Sequence, residues 1–454
     1  MVGSLQDRAG GCRSFKGIAL LRVETFSHFL PPSAYPKRSK QAPSSAIGVP
    51  RTVNMPERDE VINVTAGPSQ LPLSVLEEAA KGLINFNGTG IGITEISHRS
   101  SEFIRLNEEL ESTVRETLGV PDTYVILFAQ GGATTQFAAI PINLLAWKVL
   151  KTKRSPSELT MDYIVTGSWS AKAAEEAERL AYGAKVNIAA DSRHHSAGNF
   201  DNIPPHKGWK LSPPENSLFV YYCENETVDG NQFSDEADSP AAFPFNLVPS
   251  DVPIVADFSS SFMSRPIPKI SRYGIIYAGV QKNLGPAGLT IVIVRKDLLA
   301  DPVEAQKEGA PPIPTMLSYH VASKAKSLYN TPPMFSMYTT LLVVKHLKAT
   351  GGLEKLREIN KQKQAKLYGV LQQAEKAGKV HIRVQEASRS WMNVTFDNFK
   401  SEEDAKFVEA ANKQRIVGVK GHRSVGGIRI SLYNAVTLEQ VDKIVAFIKQ
   451  YYAL

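Results

Sequence analysis

Apolar runs that end abruptly in polar or glycine-rich clusters recur along this chain, and the stretch YAGVQKNLGPAG, residues 277–288, constrains the fold most. Residues 274–279 and 289–294 predict two strands, so Lys282 follows the end of the first strand. Open α/β sheets bind ligands at that edge. An amine held among apolar walls has a lowered pKa and can attack a carbonyl cofactor. The alternative is an ordinary surface lysine in a turn.

A second strand end carries a carboxylate. In VPIVADFSSSF the apolar run of residues 253–256 leads to Asp257 and then to a group of serines. A carboxylate in that place can hold the protonated pyridine nitrogen of pyridoxal phosphate, which keeps the ring an electron sink. The alternative is an aspartate that caps a turn through its own backbone.

A third junction has the form of an anion cradle. Residues 124–147 read as an apolar strand, then Gly131 and Gly132, then a helical pattern that begins near Thr135. Exposed N–H groups and the positive end of a helix favour a dianion, and Thr134 can add a hydroxyl donor. The glycine spacing matches neither common nucleotide motif, so the pattern indicates an anion more than a nucleotide. A plain strand-to-helix turn is the alternative.

A fourth junction places an aromatic residue between a strand and a helix. Residues 163–166 are apolar, residues 171–182 favour a helix, and Trp169 is predicted to lie in the turn between them. A flat indole at that rim could stack on a planar cofactor ring. Tryptophan is more often part of a hydrophobic core, which is the alternative here.

Nine segments spread over residues 63–435 resemble the signature segments of the phosphoserine aminotransferase family, in the family's order. They are NVTAGPSQLPLSVLEEA, EISHRSSEF, QGGATTQFAAIPINLL, TGSWSAKAAEEA, YYCENETVDGNQF, ADFSSSFMSRPI, IYAGVQKNLGPAGLTIVIVRKDLL, SLYNTPPMFSMY and GHRSVGGIRISLYNA. The resemblance implies an α/β protein, a fold-type I pyridoxal-phosphate-dependent transferase. Its large domain would have a mainly parallel sheet flanked by helices, followed by a smaller α+β C-terminal domain.

The resemblance also implies the residues that bind the cofactor, pyridoxal 5'-phosphate. Lys282 would form the Schiff base, Asp257 would hold the pyridine nitrogen, Trp169 would stack on the ring and Thr227 would donate to the phenolic oxygen. The cofactor phosphate would be surrounded by Ala133, Thr134, Ser259 and Gln281, and by Asn330 and Thr331 of the second subunit of a homodimer. Many bacterial members have Gly-Arg where this chain has Ala133 and Thr134, so this phosphate loop lacks that arginine.

The implied substrates, L-glutamate and 3-phosphohydroxypyruvate, both carry an anionic group at each end and need separated cationic sites. By resemblance, Arg429 would bind the α-carboxylate, for which the forked guanidinium is better shaped than lysine. The distal anion would be held by His98 and Arg99 of the partner subunit together with His422 and Arg423. Without the family, each His-Arg-Ser triplet is only a polar turn.

The activity implied is ping-pong transamination that yields O-phospho-L-serine and 2-oxoglutarate, as in serine biosynthesis. Another fold-type I enzyme, such as an alanine-glyoxylate or serine-pyruvate aminotransferase or a desulfurase, would share Lys282 and Asp257 but need a different anion pocket. From other classes, a non-catalytic dimeric scaffold or a nucleotide-binding protein using the Gly131-Gly132 loop remains as an alternative.

Length and charge bound the organisation of the chain. A chain of 454 residues exceeds the usual size of one core. We predict a disordered extension over residues 1–55, a large cofactor-binding domain over 56–334 whose first segment packs on the small domain, and a small domain over 335–454. Residues 1–54 hold eight Lys or Arg and two acids, whereas the whole chain is +7. The basic surplus therefore belongs to the extension, which argues against nucleic-acid binding.

The extension is rich in proline, serine and basic residues, and its apolar run, residues 17–21, is too short for a secretory signal or a membrane span. It reads as an organelle presequence or as an upstream stretch of gene model, and Met55 looks like a natural family start, which favours the second interpretation and a cytoplasmic protein. With only Cys12 and Cys223, no disulfide framework is expected. His194 and His195 lack metal-ligand spacing, so no metal site is predicted.

Overall fold

Twelve strands and ten α-helices make up residues 56–454, the part of the chain that the computed structural model describes. The strands are β1 (Ile62–Asn63), β2 (Tyr124–Ala129), β3 (Thr160–Val165), β4 (Lys185–Asp191), β5 (Ser217–Cys223), β6 (Ile254–Asp257), β7 (Tyr273–Gly279), β8 (Thr290–Arg295), β9 (Val380–Ile382), β10 (Asn393–Asn398), β11 (Ile416–Val417) and β12 (Ile428–Ser431). The helices are α1 (Leu73–Ile84), α2 (Ser101–Leu118), α3 (Gly132–Thr152), α4 (Ser168–Arg179), α5 (Pro302–Lys307), α6 (Tyr319–Lys324), α7 (Met334–Ala349), α8 (Gly352–Lys376), α9 (Glu402–Lys413) and α10 (Leu438–Tyr452).

The largest sheet has seven strands in the order β2-β8-β7-β6-β5-β3-β4. Only β8 runs antiparallel to its neighbours, and the remaining pairs are parallel. Every residue of β5, β6 and β7 is buried, as expected for parallel strands covered on both faces. The prediction of an α/β fold with a mainly parallel sheet is therefore confirmed.

Helices cover both faces of this sheet and create two hydrophobic cores. One core joins a sheet face to α1, α2 and α7, through residues such as Val75, Phe103 and Met337. The other joins the opposite face to α3, α4 and α5, through residues such as Phe137 and Ala173. The helix α7 packs against α1 and α2 and contributes residues to the first of these cores.

A third core lies in the C-terminal part. Here the antiparallel sheet β12-β10-β9 packs with α8, α9 and α10. The short strand β1, at the start of the described chain, pairs in parallel with β11 and buries Ile62 and Val64 in the same core. Among residues 56–454, no helix combines the length and apolar character that a membrane span requires.

Two helix starts differ from the sequence prediction. The helix after Gly131 begins at Gly132 and not near Thr135, because Gly131 adopts φ 96° and turns the chain into the helix at once. The next junction also turns earlier, since α4 begins at Ser168. Trp169 therefore lies in the first turn of that helix and not in the preceding loop. The start of α4 depends on side-chain hydrogen-bond acceptors that are distant in sequence.

Candidate active site

The ends of three adjacent parallel strands bring the candidate residues together. Register pairs Cys223 with Asp257 and Asp257 with Tyr277 across β5, β6 and β7. The buried Asp257 carboxylate accepts a hydrogen bond from the Ser259 backbone N–H at 2.8 Å. Burial raises the pKa of Asp257, and the positive charge of Lys282 opposes that rise. A cation near this carboxylate therefore favours its ionised form.

Lys282 lies three residues beyond β7. Its Nζ donates to Thr227 Oγ1 at 2.6 Å and is 5.7 Å from the centre of the Trp169 ring. Surrounding protein atoms remove water from the amine and lower the pKa of Lys282, although the charge of Asp257 opposes this effect. The structure thus gathers the sequence candidates Lys282, Thr227, Trp169 and Asp257 at one place.

A loop that the sequence interpretation did not assign to the site supports the Lys282 turn. Ser69 N–H donates to the Gln281 carbonyl at 3.1 Å, and the Ser69 hydroxyl donates to the Lys282 carbonyl. Gly67 has φ +110°, and a Cβ there would lie 3.1 Å from Lys282 Cγ. Glycine is thus favoured at this position by both backbone conformation and space. The segment NVTAGPSQLP indicated a family likeness, but no local signal points to these contacts.

Two buried carboxylates hold the start of α4, and the sequence interpretation missed both. Glu226 accepts from the N–H groups of Trp169 at 2.8 Å and Ser170 at 2.9 Å. Asp229 accepts from Ser168 N–H at 2.7 Å and from its hydroxyl at 3.2 Å. Burial, with Asp229 nearby, raises the pKa of Glu226 to about 7. Acidic side chains at a helix start stabilise it, here from another part of the chain.

The predicted phosphate loop has the geometry of an anion cradle. Ala133 and Thr134 lie in the first turn of α3, and their glycine N-cap has no side chain to occupy the space in front of the helix. Ser259 Oγ accepts from Gly279 N–H at 3.0 Å, which fixes its loop at the end of β7. Gln281 precedes Lys282, and its carbonyl accepts a hydrogen bond from Ser69 N–H. Free N–H groups at a helix start suit a phosphate.

Arg429, on β12, reaches the site from the C-terminal sheet. Its Nη1 donates to the Thr227 carbonyl at 3.1 Å, whereas its buried Nε has no hydrogen-bond partner within residues 56–454. Burial lowers the pKa of Arg429, and the negative charge of Asp229 opposes this effect. The guanidinium therefore keeps donors that a ligand carboxylate can satisfy. The indole Nε1 of Trp169 is a second buried donor without a partner in the described chain.

His422 and Arg423 lie in the loop before β12. His422 Nδ1 is 2.6 Å from Ser424 Oγ, and burial together with positive neighbours, Arg429 first among them, lowers the pKa of His422. Arg383 braces this loop by donating to the Val425 carbonyl at 3.1 Å. The loop is exposed at Arg423 and electropositive, as an anion pocket requires.

The four residues expected from a partner subunit form their own group. Thr331 Oγ1 lies 3.1 Å from His98 Nδ1, and the Thr331 carbonyl accepts from Gln130 Nε2 at 2.8 Å. Arg99 and Asn330 beside them are exposed. Among the described residues, no hydrogen bond connects this group with Lys282 or Arg429. Within one chain, this group is hydrogen-bonded instead to Gln130, next to the glycine turn that precedes α3.

Pyridoxal phosphate fits the residues that are present. The cleft offers a buried amine with a lowered pKa, a buried carboxylate, an indole beside the amine and an uncapped helix start. Orphaned donors on Trp169 and Arg429 also point to a missing polar ligand. Cys223 is buried with a raised pKa, which suits a packing residue better than a nucleophile. No group of metal-ligating side chains occurs in residues 56–454.

Comparison with known proteins agrees with this geometry. The family model described as aminotransferase class-V matches residues 61–444, and the chain belongs to that family.

Proteins similar to this chain indicate which group of class-V aminotransferases it belongs to. The chain is 43% identical to a phosphoserine aminotransferase of Hahella chejuensis, over 87% of this chain and 98% of that protein. It is 38% identical to the chloroplastic phosphoserine aminotransferase 2 of Arabidopsis thaliana, over 95% of this chain and 93% of that one. A solved phosphoserine aminotransferase from Trichomonas vaginalis, with bound cofactor, superimposes with a TM-score of 0.74 at 34% identity, covering 86% of this chain and 99% of that one. Within class V the chain is thus grouped with the phosphoserine aminotransferases.

Proposed function

We propose that this protein is a pyridoxal-phosphate-dependent phosphoserine aminotransferase. It transfers the amino group of L-glutamate to 3-phosphohydroxypyruvate and releases 2-oxoglutarate and O-phospho-L-serine. The observation that carries the proposal is the hydrogen bond from Lys282 to Thr227, 2.6 Å long, with Arg429 bound to the carbonyl of the same threonine. An amine that binds a carbonyl cofactor and an arginine that binds a carboxylate are thereby held on opposite sides of one residue.

The residues around Lys282 have separate roles, which follow from their charges and hydrogen-bonding groups. Bound pyridoxal phosphate supplies an electron sink for the carbanion left when Cα loses its proton. Lys282 has a lowered pKa, so a larger fraction of the amine is uncharged and able to attack a carbonyl or take the Cα proton. The carboxylate of Asp257 would hold the protonated ring nitrogen of the cofactor by its negative charge. Thr227 orients the Lys282 amine, and Trp169 would stack on the cofactor ring.

Substrate binding follows from separated cations. Arg429 offers donors for the α-carboxylate common to glutamate and the phosphorylated keto acid. His422 and Arg423 supply positive charge for the distal phosphate or γ-carboxylate. In the half-reactions, the amino group leaves glutamate and later enters 3-phosphohydroxypyruvate, and Lys282 moves the proton at Cα in both directions. Because both substrates carry the same α-carboxylate, one pocket with Arg429 at that end can bind either of them.

We further propose a homodimer in which each active site is shared. The group formed by His98, Arg99, Asn330 and Thr331 would face the phosphate cradle and the anion pocket of the partner. Exposure of Arg99 and Asn330 in one chain supports this arrangement. The division into domains of residues 56–334 and 335–454 also remains a proposal.

Spectroscopy and a substrate panel test the function. Purified protein should bind pyridoxal phosphate with visible absorbance that glutamate shifts, and should use 3-phosphohydroxypyruvate far better than pyruvate or glyoxylate. A colourless protein would contradict the cofactor assignment. A preference for glyoxylate or pyruvate would instead indicate an alanine-glyoxylate or serine-pyruvate type of enzyme.

For location we propose the cytoplasm, with an organelle presequence as the competing proposal. The Arabidopsis relative supports the presequence, because that protein is described as chloroplastic. Its alignment covers 95% of this chain and therefore extends into residues 1–55. A fluorescent protein fused behind residues 1–55 should distribute throughout the cytoplasm if our proposal holds. Import into an organelle would overturn it.

A further inference from the structure

A single turn after β5 holds several parts of the candidate site. Glu226 N–H donates to the Asn231 carbonyl and Gly230 N–H donates to the Glu226 carbonyl, both at 2.8 Å, which closes the turn. Asn231 Nδ2 donates to the Thr166 carbonyl, also at 2.8 Å, and ties the turn to the chain just after β3. The turn is buried, so its backbone is fixed by its own hydrogen bonds.

The Glu226 side chain points from this turn to the start of α4. Its two carboxylate oxygens each accept one backbone N–H, from Trp169 at 2.8 Å and from Ser170 at 2.9 Å. Glu226 is fully buried, and these donors are among those that a helix start leaves unpaired. Gly167, at the N-cap, makes the approach possible, because a Cβ there would overlap the Glu226 side chain.

Glu226 acts on the indole of Trp169 through one hydrogen bond to the backbone of that residue. The N–H that Glu226 binds belongs to Trp169 itself, so the carboxylate fixes the backbone from which the indole projects. The indole Nε1 has no partner among residues 56–454. Its ring lies 4.7 Å from the Lys172 amine, 5.7 Å from the Lys282 amine and 6.5 Å from the Phe137 ring. Because no hydrogen bond of the described residues holds the indole itself, the backbone position that Glu226 fixes contributes to where the ring lies.

We propose that Glu226 is a positioning residue for the cofactor, which sets the indole of Trp169 against the cofactor ring by binding the first N–H groups of α4. This inference rests on the proposed function, because it assumes that the indole stacks on pyridoxal phosphate. Glu226 does not touch the reacting atoms. The titratable groups around it are Asp229 in the same turn, Lys282 and the thiol of Cys223 at the end of β5.

The test compares Glu226→Gln with a matched control. The amide keeps the size of the side chain, but its NH2 group faces a backbone N–H, so one acceptor is replaced by a donor. We expect the dissociation constant of the cofactor to increase about tenfold, and the visible circular dichroism of the bound cofactor to fall by at least half. Asp301→Asn is the same type of substitution at the start of α5, where one oxygen of Asp301 accepts from both Val303 and Glu304, and it should alter neither signal.

A second variant tests the contact without changing the acceptor. Gly167 has φ −177°, an extended conformation open to any residue, so Gly167→Ala acts only through its contact with Glu226. It should weaken the cofactor signal in the same direction. This variant decides the question if Glu226→Gln does not fold.

A double variant separates positioning from general destabilisation. In a Trp169→Ala background, Glu226→Gln should reduce cofactor affinity by less than twofold, because the side chain that it positions is gone. Full additivity of the two losses would overturn the inference, as would Glu226→Gln protein with unchanged dichroism and affinity. Wild-type protein without cofactor absorbance would contradict the proposed function itself, so the two failures are distinguishable.

Discussion

At the scale of single residues, the chemistry depends on how far Lys282 departs from an ordinary lysine. The amine has only one hydrogen-bond acceptor in the described chain, Thr227 Oγ1, and its surroundings disfavour its charge. Asp257 across the cleft moderates that effect. The site therefore pairs an amine of lowered pKa with a buried carboxylate, which is the pairing that amino transfer requires.

Lys282→Ala should lower turnover of glutamate with 3-phosphohydroxypyruvate by about 10,000-fold, because the variant lacks the attachment point and the proton carrier. Borohydride treatment followed by mass spectrometry should find no cofactor mass on the chain. In wild-type protein, attachment of added cofactor should become faster as pH rises, with a midpoint below that of an ordinary lysine. Lys307→Ala, an exposed lysine on α5, is the control. Comparable turnover in the Lys282 variant would refute the assignment.

Arg429→Lys should raise KM for both substrates by about 10- to 100-fold, because lysine cannot form a two-pronged pairing with a carboxylate. Both half-reactions should be affected alike, since both substrates carry the α-carboxylate. Steady-state kinetics with each substrate varied in turn measures the change, and Arg415→Lys on the surface serves as the control. An effect confined to one substrate would move Arg429 to the distal anion site.

At the scale of elements, α8 carries a buried lysine that stabilises the segment following β12. Lys363 Nζ donates to the carbonyls of Leu432, Tyr433 and Val436, each at 3.0 Å. Burial lowers the pKa of Lys363 to about 7. The same segment leads from β12, which carries Arg429, to α10, so α8 supports the end of that strand.

This lysine predicts a pH dependence of stability. Between pH about 7 and the ordinary lysine pKa near 10, the unfolded chain binds a proton at Lys363 that the folded chain does not. The free energy of unfolding should therefore increase with pH in that window, and Lys363→Met should remove this contribution. Urea unfolding between pH 7 and 9.5 measures the slope, with the exposed Lys366→Met as the control. An unchanged slope in Lys363→Met would contradict the lowered pKa.

At the scale of the whole molecule, a buried ion network joins the large sheet to α8. Arg265 bonds Glu224, at the end of β5, and Asp235 at 3.2 Å, while Arg357 on α8 bonds Asp235 at 2.6 Å. Both arginines also lie over the ring of Trp391. Removing one partner of such an ion pair lowers the free energy of unfolding, because the other partner is left as an unpaired buried charge.

Asp235→Asn should lower the free energy of unfolding by about 3 kcal/mol, because Arg265 and Arg357 lose a shared counter-charge. Asp238→Asn, three residues away and exposed, should change it by less than about 0.5 kcal/mol. Denaturant titration of both variants measures the difference. Equal stabilities would mean that the network contributes nothing net.

The proposed sharing of active sites predicts complementation between inactive variants. A hybrid of one Lys282→Ala subunit and one Arg99→Ala subunit contains one complete site if Arg99 acts across the interface. Mixing and refolding the two variants should then restore activity well above either alone. If Arg99 acts within its own chain, the hybrid has no complete site and activity should not return. Size-exclusion chromatography of each variant establishes that dimers form.

Sequence patterns could predict the residues whose signal is local. Lys282, Asp257 and Trp169 each stand near the end of an apolar strand pattern, whereas the fold class was implied by the family resemblance. Glu226 and Asp229 were missed, because Glu226 binds a backbone group 57 residues earlier in the chain. Lys363 was missed for a similar reason, since its acceptors lie about 70 residues later. Nothing in either neighbourhood marks such a partner.

The amino-acid order by itself determined the strands, the glycine turns and the types of reactive side chain, because these depend on periodicity and on the conformational limits of neighbouring residues. Only the tertiary structure decided which carboxylates hold α4, how far the Lys282 pKa is lowered and that Arg429 retains free donors. Those properties arise from desolvation and from contacts between strand ends that are distant in the chain. Both depend on which atoms surround a group after folding, and a linear pattern does not contain that information.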